Sequence, residues 1–279
     1  MLLRRHSHEA MFTRFELILP HEDPLIANGI AQAVFSDIDR LEKELSRFVP
    51  YSDISRINRA AAGEEVCVDA ACMDCLLFGR DVWQASGGAF DVTIGPLYQI
   101  LRQPDGSPRK PERGEMEEAK SRCGFHLLEL DPDNFTVTPA VAGMRLDLGA
   151  IGKGYALDQA ARLLRDRNVE HALLNAGEST VLGLGSMPEQ DGWPVRAGAG
   201  EPVVLHGNAL SGTGFMYKGA HIIDPRNFKT VDTERILRWA IAPNATLADA
   251  LSTAFMVLNR REIDSLCRQQ AGVRALFFQ

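Results

Sequence analysis

Asp249 and Thr253 stand four residues apart in Thr246-Leu-Ala-Asp-Ala-Leu-Ser-Thr-Ala-Phe255, whose apolar spacing is helical, so the two share one helix face. A carboxylate and a hydroxyl near a helix start are hard oxygen ligands of the kind magnesium takes, usually with phosphate and water. The spacing Thr246-x-x-Asp249 also fits a capping box, in which Asp249 would only satisfy backbone donors. Lys153 lies in Asp147-Leu-Gly-Ala-Ile-Gly-Lys-Gly154, a glycine-rich turn that would offer free N–H groups and a cation to a phosphate. Neither stock phosphate motif is present. Gly154 follows the lysine where a Walker loop needs Ser or Thr, and Gly149, Gly152 and Gly154 run G-x-x-G-x-G. The turn therefore equally suits close packing of a strand on a helix. His221 precedes the turn at Asp224-Pro225, and imidazole either moves a proton there or holds the turn. Cys67, Cys72 and Cys75 have the spacing of a two-iron cluster, with Cys123 or Cys267 as a fourth ligand, but Asp69 as a helix N-cap would instead make Cys72 and Cys75 buried helix residues.

These residues need elements to position them. Met144, Leu146 and Leu148 alternate as in a half-buried strand, and Leu157, Ala160, Ala161 and Leu164 then form a helical stripe. A strand at 172–175 follows. Upstream, 11–19 reads as a strand, and a helix runs from Pro24 to about Phe48 with Ile30, Val34, Ile38, Leu41 and Leu45 on one face. Residues 51–58 suggest a turn with a short helix, 69–86 a helix ended by Gly87-Gly88, and 89–97 an extended segment closed by Gly95-Pro96. Strands are expected at 127–130 and 135–137, several short ones at 181–206, a last major helix from Pro243 through Leu258, and a closing strand at 273–278. The sum is one α+β domain of mixed, largely antiparallel sheets with packed helices, spanning 11–279 in one or two lobes, after a tail at 1–10.

Composition narrows the function classes. A formal net charge of −7 and a pI near 5.5 argue against general nucleic-acid binding. No apolar run approaches the roughly 18 residues that span a membrane. The start Met-Leu-Leu-Arg-Arg-His-Ser-His has no hydrophobic region after its basic residues and no cysteine to carry a lipid, so the cytoplasm is the expected compartment.

Five stretches, in order, resemble the FAD:protein FMN transferases of the ApbE family: Ser52-Asp-Ile-Ser-Arg-Ile-Asn58, Gly87-Gly-Ala-Phe-Asp-Val-Thr93 with Gly95-Pro-Leu97, Asp147 to Gly154, His221-Ile-Ile-Asp-Pro225 and Ala248-Asp-Ala-Leu-Ser-Thr253. The resemblance covers nearly the whole chain from Met11. It implies a magnesium-dependent transfer of FMN from FAD to a threonine or serine of a partner protein, with release of AMP. A member that binds FAD without transferring it, or only hydrolyses it to FMN and AMP, is the alternative. The resemblance further implies that Met11 and Phe48 would touch the FAD, Phe48 standing where the family usually has tyrosine. Ala89, Phe90 and Asp91 would line the flavin side, Asp147 and Lys153 would hold the cofactor, and Ile223 would contact it. The carbonyl of Ala150, with Asp249 and Thr253, would hold Mg2+, and His221 would lie at the reacting phosphate. The chain departs from the pattern at Glu178, where a second glycine is usual, and at Asn227-Phe228, where Thr-Gly is usual. The family is typically exported, whereas no signal is expected here.

Overall fold

The computed structural model describes residues 2–103, 107–177, 179–197, 201–213, 222–231 and 237–278. The chain divides into two compact units, one of Met1–Glu42, Ile151–Ile222 and Val231–Gln279, the other of Lys43–Ala150 and Ile223–Thr230. The first unit opens with strands β1 (Leu3–Ala10) and β2 (Thr13–Pro20), and helix α1 (Pro24–Leu45) leads out of it. The second holds α2 (Asp53–Ile57), β3 (Val66–Cys67), α3 (Ala70–Ala85), α4 (Gly95–Leu101), α5 (Arg113–Lys120), β4 (Leu128–Asp131) and β5 (Thr136–Pro139). The chain then returns to the first unit with α6 (Gly152–Asp166), β6 (Ala172–Ala176), β7 (Thr180–Leu184), β8 (Trp193–Val195), β9 (Val203–Leu205) and β10 (Asn208–Thr213). A short hairpin, β11 (Ile223–Asp224) and β12 (Lys229–Thr230), belongs to the second unit. The first is completed by β13 (Leu237–Ala242), α7 (Ala245–Val257), α8 (Arg260–Gln269) and β14 (Arg274–Phe278).

The first unit is built on a seven-stranded sheet in the order β1-β2-β6-β7-β10-β13-β14, antiparallel at every pairing. Alternation along each strand gives the sheet two apolar faces. Phe15, Leu17 and Leu19 are buried on the face that also carries Leu174, Leu182 and Ala209, against which α6 and α7 pack. On the other face Val181, Leu210 and Ile241 form a core with Trp193 and Leu205 of the β8–β9 hairpin. Residues 1–10, expected as a tail, contain β1 in register with β2 from Leu3↔Pro20 to Ala10↔Thr13. The turn joining them is Met11-Phe12 with φ 49° and 57°. Both residues are left-handed, as a two-residue hairpin turn of this hand requires, although neither is glycine or asparagine. Met11 therefore lies in the turn and not in the expected strand.

In the second unit β3, β5 and β4 form an antiparallel sheet in that order. Two further expectations fail here. Residues 144–148 alternate in burial, but their hydrogen bonds go elsewhere: Asn58 Nδ2 donates to Leu146 O at 3.1 Å, Leu146 N donates to Asn58 Oδ1 at 2.6 Å, and a single bridge joins Arg145 to Ile94. On the other side Asp147 N donates to Val92 O at 2.8 Å and Gly95 N to Arg145 O at 3.1 Å, so a side-chain amide and an irregular segment stand where neighbouring strands would. Residues 89–97 are not extended throughout, because Gly95-Pro96 starts α4 instead of closing a strand, proline being at home in a helix's first turn. Helix α8 is not among the expected elements, although Asn259-x-x-Glu262 forms a capping box at its start.

Candidate active site

Asp249 is 4% exposed on α7, and both its carboxylate oxygens are engaged within the first unit. Oδ2 accepts from the backbone N–H of Gly154 at 3.1 Å, in the first turn of α6, and lies 3.8 Å from Lys153 Nζ. Oδ1 accepts from Thr180 Oγ1 at 3.2 Å and Ser211 Oγ at 3.4 Å. Only glycine permits this approach at 154. A Cβ there would come within 2.2 Å of Ala245 O and 2.9 Å of the Cβ of Asp249. The hydroxyl cluster continues along α7 and β10: Thr213 Oγ1 is 2.7 Å from Ser252 Oγ and 3.4 Å from Thr253 Oγ1. Lys153, Asp249 and Thr253 are thereby joined in one polar cluster.

Asp249 is not a helix cap. The N-cap of α7 is Asn244, whose side chain accepts from Leu247 N at 2.8 Å. Asp158 of α6 takes the N–H groups of Ala245 and Thr246, each at 2.8 Å, together with the Thr246 hydroxyl. The first three donors of α7 are thus satisfied without Asp249, and the capping-box expectation is corrected. Thr180, Ser211, Thr213, Ser252 and Asp158 escaped the sequence reading. Their strand register and helix packing place them, and no spacing in the chain announces that.

The second unit holds the other expected residues in separate groups. Asp147 accepts from Gly149 N at 2.9 Å and pairs with Arg47 Nε at 3.2 Å, while the Arg47 guanidinium lies 4.4 Å over the ring of Phe48. Phe48 is 60% exposed. Near Asp147 the phenol of Tyr98 is pushed up to about 12, first by burial and then by that carboxylate. Ala89 and Phe90 are buried, and Asp91 accepts from Thr93 N at 2.8 Å and Thr93 Oγ1 at 2.7 Å. Burial raises the pKa of Asp91, and the Thr93 bonds oppose that. Ile223 packs with Ile94, Leu97, Ala119 and Cys123, as a core residue of this unit. Ala150 is its last residue before the chain crosses to Ile151. His221 and Glu178 fall outside the described residues. Cys72 and Cys75 are buried on α3, Cys67 is exposed on β3, and burial pushes the Cys72 thiol well above its ordinary value. That opposes the thiolate form an iron–sulfur cluster binds.

The polar cluster around a glycine-rich helix start coincides with a family match. The sequence model of the ApbE family matches residues 11–277. The chain belongs to the ApbE family. The FAD:protein FMN transferase of Treponema pallidum is 29% identical over 276 residues, which are 88% of this chain and 76% of that protein. That of Klebsiella pneumoniae is 26% identical over 269 residues, 89% of this chain and 76% of the relative. The structure of the Pseudomonas stutzeri flavinyl transferase ApbE in its apo form superimposes with a TM-score of 0.88 over 99% of this chain and 92% of that one; at 24% identity it bears on the fold alone. Membership makes the chain a flavin transferase by class. One departure from the ApbE pattern acquires a geometry. Phe228, where the family usually has glycine, has φ 61° in a turn held by Asp224, which accepts from Asn227 Nδ2 at 2.9 Å. Phe228 N also donates to Asp224 O at 2.7 Å.

Proposed function

We propose that the chain transfers FMN from FAD to a threonine or serine of an acceptor protein and releases AMP, with magnesium bound beside Asp249. The observation that carries this is the buried Asp249 carboxylate, held by Gly154 N–H and two hydroxyls next to Lys153, where no helix cap needs it. The donors available there are all hard oxygens, which fits magnesium. Among the described residues no three His, Cys, Asp or Glu side chains stand together as a metal group. Magnesium would therefore take Asp249 as its carboxylate, Thr253 and the Ala150 carbonyl as neutral oxygens, and phosphate and water for the rest. When bound, it would supply positive charge to a splitting pyrophosphate.

The chain's own groups would do the remainder. The start of α6 and Lys153 would hold the phosphates by N–H groups and charge. The acceptor hydroxyl oxygen would form a bond to the FMN-side phosphorus as the bond from that phosphorus to the AMP oxygen breaks. His221 would take the hydroxyl proton, a step that typically contributes about 10²–10⁴-fold. The partner would be a protein, with no nucleic acid involved, and no described helix is long and apolar enough to cross a membrane.

The test incubates purified protein with FAD, magnesium and peptides bearing candidate acceptor threonines, and reads the products by mass. An FMN adduct with stoichiometric AMP is expected. Free FMN and AMP without any adduct would establish the hydrolytic alternative in its place.

A further inference from the structure

Strand β1 forms one edge of the seven-stranded sheet, so among the described residues no strand meets its outward N–H and C=O groups. Three observations identify the residues that carry them. The two-residue turn makes Ala10↔Thr13 the hydrogen-bonded pair that closes the hairpin, and the ladder alternates from there. Leu2 O accepts from His21 N at 2.9 Å, one step beyond Leu3↔Pro20. Pro20, opposite Leu3, has no N–H to give it. Arg4, His6, His8 and Ala10 therefore bond to β2, while Leu3, Arg5, Ser7 and Glu9 turn their backbone groups outward. All four of these are exposed. Edge strands are usually guarded by proline, lysine, a bulge or short length. Here the edge is eight residues long, carries neither proline nor lysine, and pairs with β2 without a bulge.

We propose that this edge pairs with the same edge of a second copy of the chain, antiparallel and about a two-fold axis at Ser7. The charges select that register. Among registers that set outward residues opposite one another, an axis at Arg5 or at Glu9 brings like charges face to face. An axis at His6 puts Arg5 opposite Ser7, and one at His8 puts it opposite Met11 of the turn. Only the axis at Ser7 places Arg5 against Glu9 of the second copy, and symmetry repeats the pair. The facing pairs Arg5–Glu9, Ser7–Ser7 and Glu9–Arg5 would each exchange two backbone hydrogen bonds. Both charges are available, since neither Arg5 nor Glu9 has an ion-pair partner among the described residues. Glu9 lies opposite Arg14 of β2, but that guanidinium donates to Ser7 Oγ at 3.0 Å. On the sheet's other face the same register sets Arg4 against Ala10 and His6 against His8. His8 is tied to Asp39 of α1 at 2.7 Å, and burial, then Arg4, holds His6 below its ordinary pKa. A neutral His6 meets no repulsion there. Pairing at this edge needs no FAD and is independent of FMN transfer.

Analytical ultracentrifugation of the purified protein tests this. One strand pair is a small contact, so the average mass should climb from monomer to dimer across about 5–500 µM. Arg5→Glu and Glu9→Arg each set like charges opposite one another, and each should weaken association roughly tenfold or more. Both residues are exposed, so neither change threatens the fold. A mixture of the two single variants should dimerise again, because every facing pair is then opposite in charge. The double exchange, Arg5→Glu with Glu9→Arg, should do so by itself. Ser7→Pro removes an outward N–H and no bond to β2, and it should abolish the dimer. A wild type that stays monomeric throughout would overturn the proposal and leave the edge to an extended segment of another protein. Single variants or Ser7→Pro that dimerise as the wild type does would overturn it too, by marking another surface. So would a mixture of the single variants that does not recover association.

Discussion

Asp249 concentrates the chemistry of the first unit in one side chain. Asp249→Asn keeps an acceptor oxygen for Gly154 N–H, so the expected stability cost is about 1 kcal/mol, or a few degrees of Tm. It removes the negative charge, and FMN transfer should fall at least ~10²-fold if that carboxylate serves the reacting phosphate. Retained transfer with a lowered Tm would reduce Asp249 to a packing role. Tyr98 supports a different measurement. Its phenol is pushed up to about 12 in the folded protein, against roughly 10 for a free tyrosine. The folded state thus favours the neutral phenol, so its contribution is fully present below pH ~10 and is lost as the pH rises towards 12. Denaturant midpoints of wild type and Tyr98→Phe, measured between pH 9 and 11.5, should show the wild type losing stability more steeply at the alkaline end. Parallel curves would contradict the shift.

At the scale of elements, α6 and α7 form one device. Asp158 of α6 caps α7, Gly154 of α6 lets the helices touch, and Asp249 of α7 reaches back to the first turn of α6. Asp158→Ala should cost about 1–2 kcal/mol, as loss of a capping side chain does, and lower the Tm by roughly 2–8 °C. Thermal unfolding measures it, and an unchanged Tm would mean that Asn244 suffices. Much of this device was legible: the helical stripe from Leu157, the glycines, and the pairing of Asp249 with Thr253 all follow from period and residue type. What was not legible depends on partners distant in sequence. Thr180 and Ser211 look like ordinary strand residues until the register Ser211↔Thr180 puts them side by side under Asp249. Residues 144–148 carry a strand's alternation, yet alternation reports burial; Asn58 and the irregular segment at 92–95 take their hydrogen bonds in place of neighbouring strands. Met11 read as a strand residue because its apolar type matched Phe15 and Leu17. Its left-handed φ is a property of the hairpin that forms around it.

For the whole molecule, the first unit is discontinuous, with Lys43–Ala150 of the second lying between its opening segment and α6. Asn175 and Glu16, which hydrogen-bond across β6 and β2, are 159 residues apart in the chain. Such pairing carries a high loop-closure cost and slows folding. It also imposes an order during synthesis. The β1–β2 hairpin emerges first, and a two-stranded hairpin alone is marginal in water. At about 5–20 residues per second, β2 waits on the order of ten seconds or more before β6 exists to pair with it. In ribosome-arrested chains of increasing length, trypsin should cleave at Arg14 until β6 and β7 have left the ribosome, and should be blocked afterwards. Protection at shorter lengths would reveal another early partner for the hairpin. A sheet whose first edge hairpin is made long before the strand that pairs with it leaves the newborn protein dependent on whatever shields that hairpin in the meantime.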